Sequence, residues 1–403
     1  MKHETQVETL RLLLGLRKEE RHQDMLGQVT QIPVRNYTDD ATFEHEMGTV
    51  FRQYPTVAGH ACHVREPGSF LLSDWDRFPY VVIRDKEGQL RAFLNICRHR
   101  GARLITRATE NKKLKAFVCP FHGWVYDLDG SLRAITKEHN FPHLDRRRFG
   151  LVELPVAEQG GLIWIHPTPG TMIDLKSYLG PIADDMDHFG IDRLVSYRKS
   201  VIIKNANWKL LLKTYLEGYH VPFLHRTTIA TSFRKGVLAH FEHGPHIRIA
   251  AARTNILDAL NVEPEKWRIL DYASVYYTLF PNTFFIMHPD YVSINKFYPE
   301  APDRTIWTHE MLYREELFND REELFNGEKG EAALAKRFEY TNDMVFDLED
   351  FAVAEDVQKG LRFGGNEFHT LGLEEGLLAV FQQSVDQALN RSSVTPMTEH
   401  EGP

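Results

Sequence analysis

Two short residue pairs constrain this chain more than anything else in it. Cys97-Arg98-His99 is followed, after the nineteen residues 100–118, by Cys119-Pro120-Phe121-His122. Each pair presents one thiolate and one imidazole from a tight loop. A hairpin-sized gap lets two such loops meet at the ends of neighbouring strands. A Cys2His2 zinc site has this ligand inventory. So does a [2Fe–2S] centre with two cysteines on one iron and two histidines on the other.

The rest of the cysteine inventory narrows the setting. The chain has 403 residues and three cysteines, Cys62, Cys97 and Cys119. So few thiols exclude a disulfide scaffold and point to a reducing, cytoplasmic compartment. Cys62 stands well upstream with no matching partner and reads as a small buried thiol. The length suits two or three domains. Lys and Arg number 48 against 56 Asp and Glu, a net charge of −8, which argues against a nucleic-acid binder. No apolar run approaches the length of a membrane span. The first residues do not form a signal peptide, because Glu4, Glu8 and Arg11 interrupt the apolar stretch. Leu10, Leu13 and Leu14 instead begin the stripe of a packed helix. There is no G-x-G-x-x-G after a strand and no P-loop, so no nicotinamide, flavin or nucleotide site is recognisable.

Patterning divides the chain into an N-terminal helical stretch over 1–40, a β-rich region over 41–165, a mixed region over 166–390 and a polar tail over 391–403 expected to fray. Strand-like runs in the β-rich region are Tyr80–Arg84, Arg91–Ile96, Lys115–Val118, Trp124–Leu128 and Leu162–Ile165. Asp85-Lys86-Glu87-Gly88 and Asp127-Leu128-Asp129-Gly130 are the turns between them. In the mixed region, helical periodicity near 174–190 and 205–219 precedes strands near 246–252, 272–287 and 291–298. A long helix over about 329–361 and another over about 372–390 follow.

A second constellation lies at Glu217-x-x-His220-x4-His225. Glu217 and His220 are three apart and would share a helix face. Pro222 disfavours helix at Val221, so the chain can turn His225 back toward His220. Two imidazoles and a carboxylate make the facial set of a non-haem Fe(II) site, with positions left open for dioxygen. The third ligand must come from elsewhere. Asp350 sits in an apolar stripe with Phe346, Val353, Ala354 and Val357. A carboxylate so placed needs a partner or a metal. Asp343 and Asp347 read as a solvated edge, and Glu355 with Lys359 as a surface pair. His240, His243 and His246 form a rival cluster, but Gly244-Pro245 interrupts any helix there, and the segment reads as a loop or pocket lining.

The sequences Cys97-Arg-His-Arg-Gly-Ala102 and Cys119-Pro-Phe-His-Gly-Trp-Val-Tyr-Asp-Leu-Asp-Gly130 resemble the Rieske domains of ring-hydroxylating oxygenases. The Asn-Trp-Lys start at 207–209, the Glu217-x-x-His220-x4-His225 core and the late Glu349-Asp350 segment resemble the catalytic domain of the same family. The resemblance covers roughly 40–390. It implies an α+β chain, with a β-rich Rieske domain and a helix-grip catalytic domain built on an antiparallel sheet. It implies a terminal oxygenase α subunit using O2 to hydroxylate an aromatic or other small organic substrate. Oxidative O- or N-demethylation or carnitine- or choline-like monooxygenation are the alternatives. By the same resemblance, Cys97, His99, Cys119 and His122 hold a [2Fe–2S] cluster, and His220, His225 and Asp350 bind Fe(II). Glu217 stands where the family usually has a bridging Asp, as in its carnitine and choline monooxygenase branch. It would link the Rieske histidine of one subunit to an iron-ligating histidine of the next, which implies a homotrimer, with or without a β subunit. Electrons would come from NAD(P)H through a separate reductase or ferredoxin. Lys213 stands where the family often has Asn or Asp; it could pair a substrate carboxylate, and a salt bridge to Glu217 is its expected contact.

Residues 98–115 hold Arg98, Arg100, Arg103, Arg107, Lys112, Lys113 and Lys115 against Glu110 alone. These cations either offset nearby negative charge or form a docking surface for an acidic electron donor, with Lys112 and Lys113 as test positions.

Overall fold

A computed structural model describes residues 1–19, 26–106, 113–315 and 330–397. Two compact units emerge. One is Arg52–Tyr178 with Phe189–Arg193, and the other is Met1–Phe51, Leu179–His188 and Leu194–Pro403.

The first unit is built from three small antiparallel sheets. One runs Phe70–Leu72, Tyr80–Arg84, Leu90–Leu94, Glu153–Leu154; another runs Phe117–Val118, Val125–Tyr126, Leu132–Ala134. The third places Leu162–Ile165 between Val156–Gln159 and Thr56–His60. The two turn signals act as their chemistry dictates. Asp85 accepts a hydrogen bond from Gln89 N at 2.7 Å, closing the turn from one strand to the next. Gly130 has φ +86°, and a Cβ there would lie 2.4 Å from the Phe93 ring, so only glycine lets this turn approach the core. Phe93, Phe117, Trp124 and Tyr126 form the buried aromatic centre of this unit. The cluster loops are rooted on it.

The second unit is organised around a seven-stranded antiparallel sheet. Its order is Val195–Lys204, Arg304–Tyr313, Tyr291–Ala301, Thr283–Met287, Ala273–Leu279, His246–Arg253, Phe233–His243. Six strands form a meander, and the earliest pairs back onto the last. Phe233–His243 and His246–Arg253 form a hairpin through Gly244 at φ +60°. His240, His243 and His246 therefore lie on paired strands and not in a loop. They do not gather into a metal set.

The N-terminal helix His3–Glu19 buries Leu10 and Leu13, as its stripe requires. Thr30–Pro33 pairs with Phe368–Leu371 and with Thr395–Pro396. The polar C-terminal stretch is thus tied down as far as Pro396 rather than frayed from Arg391, and 398–403 lie outside the described residues. No described helix is long and apolar enough to cross a membrane.

The late helix departs from a regular α-helix. It is α-helical over Gly330–Glu339, widens to a π-helix over Tyr340–Phe351, and returns to α-helix over Ala352–Arg362. Its buried residues there are Thr341, Asn342, Val345, Phe346, Asp350 and Phe351, a spacing wider than 3.6. The change of phase explains why Val353 and Val357 are exposed although Ala354 and Gln358 are buried.

Candidate metal centres

The two cysteine loops have the same local architecture. In one, Cys97 N donates to Ala102 O and Gly101 N to Cys97 O; in the other, Cys119 N donates to Trp124 O and Gly123 N to Cys119 O. Gly101 and Gly123 close these loops at φ +77° and +70°, a region that disfavours side chains. The loops bring the histidine rings to 4.7 Å between centroids, and His99 stacks on Trp124 at 4.8 Å. Both sulfurs are buried. Tyr126 Oη lies 3.3 Å from Cys97 Sγ and accepts from Arg98 N at 3.0 Å. Burial pushes the Cys97 thiol up, partly opposed by Tyr126. Burial, with His122 and Arg100 nearby, holds His99 below the ordinary histidine value. Its ring is therefore neutral at physiological pH, as a metal ligand must be.

These residues fit a two-iron cluster. Nδ1 of His99 and Nδ1 of His122 are buried without a hydrogen-bond partner, two orphaned lone pairs. The sulfurs adjoin one another and the rings adjoin one another. Yet no three of the four ligand atoms converge within 4.8 Å, as one tetrahedral zinc would require.

Among the described residues, one set does converge so: His220, His225 and Asp350, whose ligand atoms all lie within 4.8 Å of one another. Asp350 Oδ1 is 3.0 Å from His225 Nε2 and 3.4 Å from His220 Nε2. The helix leading in is Trp208–Lys213, capped by Asn207 accepting from Lys209 N at 3.0 Å. Trp208 Nε1 and Lys209 Nζ both donate to buried Glu46, which anchors it. The helix ends before the motif. Glu217 is extended, at φ −140° and ψ 154°, so Glu217 and His220 do not share a helix face. Instead Glu217 caps the turn from below. Its carboxylate accepts from His220 N at 3.0 Å and pairs with His220 Nδ1. A short helix Val221–Leu224 follows, with Pro222 in its first turn where no N–H is needed. It returns His225 to face Asp350.

Burial alone would lower the His220 value, but hydrogen bonds to Asp350 and Glu217 raise it to about 10. Burial likewise opposes, and Asp350 and Glu349 outweigh it, at His225, which is raised. Each ring gives its Nδ1 side to a carboxylate and turns Nε2 toward Asp350. That is how a second carboxylate fixes the tautomer of a metal-binding histidine.

Two residues here escaped sequence reasoning. Glu349 Oε2 accepts from Thr228 Oγ1 at 2.7 Å and lies 2.7 Å from His225 Nδ1. Only the widened helix turns two successive acids toward one histidine, and the sequence carries no signal for that. Lys213 is the other surprise. Its Nζ contacts Tyr37 Oη at 2.6 Å and Gln382 Oε1 at 3.0 Å, not Glu217, and burial holds it well below the ordinary lysine value. Asp347 pairs with Lys204 instead of solvent. Glu355 accepts from Asn205 N at 2.6 Å, while Lys359 pairs with Asp356. Cys62 is half-buried beside His60 and His63 rather than fully enclosed. In the basic stretch, Arg103 pairs with Asp76 and Lys113 with Glu66, while Arg100 lies over exposed Phe121. Arg107, Glu110 and Lys112 are outside the described residues.

The triad opens onto a cavity of about 410 Å³, within the range of small-molecule sites. Tyr215, Phe284 and Phe346 supply its apolar wall.

A β-rich unit with a Cys2His2 cluster cradle and a sheet unit with a two-histidine, one-carboxylate triad define a two-centre iron protein. The family models agree. Residues 55–150 match the Rieske [2Fe-2S] domain, and 191–391 match the ring hydroxylating alpha subunit catalytic domain. The chain belongs to the Rieske non-haem iron oxygenases, as an α-subunit-type chain. It is 34% identical over 196 residues to choline monooxygenase of Amaranthus tricolor, covering 47% of this chain and 43% of that one. It is 32% identical over 231 residues to the chlorobenzene dioxygenase alpha subunit of a Cupriavidus strain, covering 55% and 48%. Each alignment thus spans less than half of the curated relative. The fold matches a crystal structure of the quaternary ammonium Rieske monooxygenase CntA with L-carnitine at TM-score 0.76, with 23% identity, 91% of this chain and 96% of that chain.

Proposed function

We propose that this chain is the terminal oxygenase of a multicomponent Rieske system, hydroxylating a small organic substrate with O2 and electrons from a separate NAD(P)H-dependent reductase or ferredoxin. The observation that carries this reading is the convergence of His220, His225 and Asp350 on the wall of a cavity with an aromatic side.

Cys97, Cys119, His99 and His122 would hold the [2Fe–2S] cluster, and His220, His225 and Asp350 the Fe(II). When bound, the cluster supplies single electrons and the iron supplies dioxygen chemistry. The chain's own groups do the rest. Glu217 and Glu349 each accept a hydrogen bond from the Nδ1–H of one histidine, which would leave both rings a lone pair at Nε2 for the metal. Asp350 would contribute one negative charge to the metal site. The aromatic wall excludes water and holds the substrate's apolar body.

Glu217 carries a second role. As a carboxylate bound to His220, it would bridge to a cluster histidine of an adjacent subunit and pass charge between them. That requires a neighbouring subunit, which the homotrimer expected from the family would supply, with or without a β subunit. Exposed Arg98 and Arg100 beside the cluster loops, with exposed Phe121, would receive the acidic electron donor. Glu at 217 favours the quaternary-ammonium branch as a second reading, with monooxygenation in place of ring dihydroxylation. The cluster thiols must stay reduced, which suits the cytoplasm.

The test is a substrate panel with reductase, NADH and 18O2, with products read by mass spectrometry. Substrate-dependent incorporation of label is expected. Protein that carries both metals, accepts electrons and labels none of the panel would overturn the reading.

A further inference from the structure

The cavity beside the triad is not apolar throughout. Arg253, at the end of strand His246–Arg253, lines it, together with Arg337, Asp290 and His288. Arg337 is matched to Asp290 at 3.1 Å. Among the described residues no ion pair reaches Arg253. Asp271 borders the adjoining recess with Arg253 yet forms no ion pair with it. On this side of the cavity Arg253 is thus the guanidinium without an ion-pair partner among the described residues, while the acids Glu217 and Asp350 elsewhere in the lining are engaged with His220 and His225.

The surroundings sense that charge. Burial, with Arg253 and Arg337 next in weight, holds His288 down to about 3, so its ring is neutral. His288 stacks on Tyr291 at 4.0 Å, and its Nε2 is buried without a hydrogen-bond partner. The His288 ring nitrogen is a buried polar atom left unsatisfied, and beside it the partly buried Arg253 offers its donors to the cavity, so one polar ligand could engage both. A carboxylate fits best, because its two oxygens match the planar fork of arginine and its charge balances the site. The metal triad and the aromatic wall lie in the same cavity, so an acid held at Arg253 would keep its apolar body inside it.

We infer that Arg253 is a specificity-determining residue that reads a carboxylate, so the substrate class is a small organic acid with an apolar, aromatic or quaternary-ammonium body. This rests on the oxygenase reading above.

The test uses metal-loaded wild type, Arg253→Gln and Arg253→Lys, each first checked for cluster absorption and iron content. Binding is measured by calorimetry without turnover, with matched acid and amide pairs. The pairs are benzoate and benzamide, phenylacetate and phenylacetamide, and trimethylglycine and its primary amide. At least one acid should bind wild type about tenfold or more tighter than its amide. Arg253→Gln should bring that pair to near equality, and Arg253→Lys should keep part of the preference. The inference is overturned if no acid binds, if amides bind equally well, or if Arg253→Gln retains the preference. Oxygen incorporation separates the two readings. Labelled products from neutral compounds alone overturn the carboxylate inference and leave the oxygenase standing. Arg253-dependent acid binding with no incorporation supports the anion site and removes the oxygenase.

Discussion

The cluster cradle and the iron triad use similar residue types but differ in how far apart their members lie in the chain. All four candidate cluster ligands fall within 97–122, on two loops closed by matching backbone hydrogen bonds and by Gly101 and Gly123. The triad takes two histidines from 220–225 and its carboxylate from position 350. Local loops can organise a centre with little help. A centre assembled across more than a hundred residues depends on the sheet and the helices that carry it. The first should therefore tolerate changes elsewhere, and the second should respond to any change in its supports.

Ligand removal is the largest test of that difference. Asp350→Ala and His225→Ala should lose the mononuclear iron and all oxygen incorporation while the cluster spectrum stays unchanged. Cys119→Ser should lose the cluster absorption and, with the electron supply cut, oxygen incorporation too, while the mononuclear iron stays; metal analysis and visible absorption are the readouts. Loss of both metals in either variant would show the centres to be structurally coupled.

Glu217→Gln should come next. The amide can still accept from His220, so both metals should remain while turnover falls about 10- to 100-fold. Full turnover would remove the bridging role. Glu349→Gln should weaken iron binding at the triad about 10- to 100-fold without touching the cluster, measured by competition with a chelator. An unchanged affinity would mean that Thr228 and Asp350 alone orient His225.

Tyr126→Phe probes the cluster side. It removes a hydroxyl beside Cys97 Sγ that stabilises the more negative, reduced state. The reduction potential should fall with the absorption bands retained, read by electrochemistry. The remaining test is of pH stability. Burial lowers His288 to about 3 and His309 to about 4 in the sheet unit. The unfolded chain binds protons at these positions near pH 6.5 while the folded chain does not. Stability should thus be complete above pH 6.5 and be lost as pH falls toward 4. The slope is about 1.4 kcal/mol per pH unit for each histidine. Denaturant titrations between pH 7.5 and 5 would check it, and a flat profile would contradict the neutral buried rings.

The cluster site was largely legible in the sequence because its ligands are close in the chain and its turns need glycine. His220 and His225 were equally visible, but their support was not. Pattern reasoning put Glu217 on a helix face, whereas the helix ends before it and Glu217 works as an extended cap. Asp350 was singled out as an acid in an apolar stripe, and Phe346 and Ala354 are indeed buried beside it. Val353 and Val357 are not, because a π-helical segment shifts the phase that a 3.6-residue period assumes. Lys213 was misplaced for a related reason. Sequence proximity to Glu217 suggested a pair, yet the anchored helix directs it toward Tyr37 and Gln382.

By itself the sequence determined the chemistry on offer: two thiols and two imidazoles at cluster spacing, and two further imidazoles beside an acid. Local spacing is enough for that, since a short loop has few ways to present its ligands. The tertiary structure alone decided that of two adjacent acids Asp350 lies against the Nε2 atoms of both histidines while Glu349 meets Nδ1 of His225. It also decided that Arg253 lines the cavity with no ion-pair partner among the described residues. Those outcomes depend on helix phase and sheet register, which arise from contacts between residues far apart in the chain.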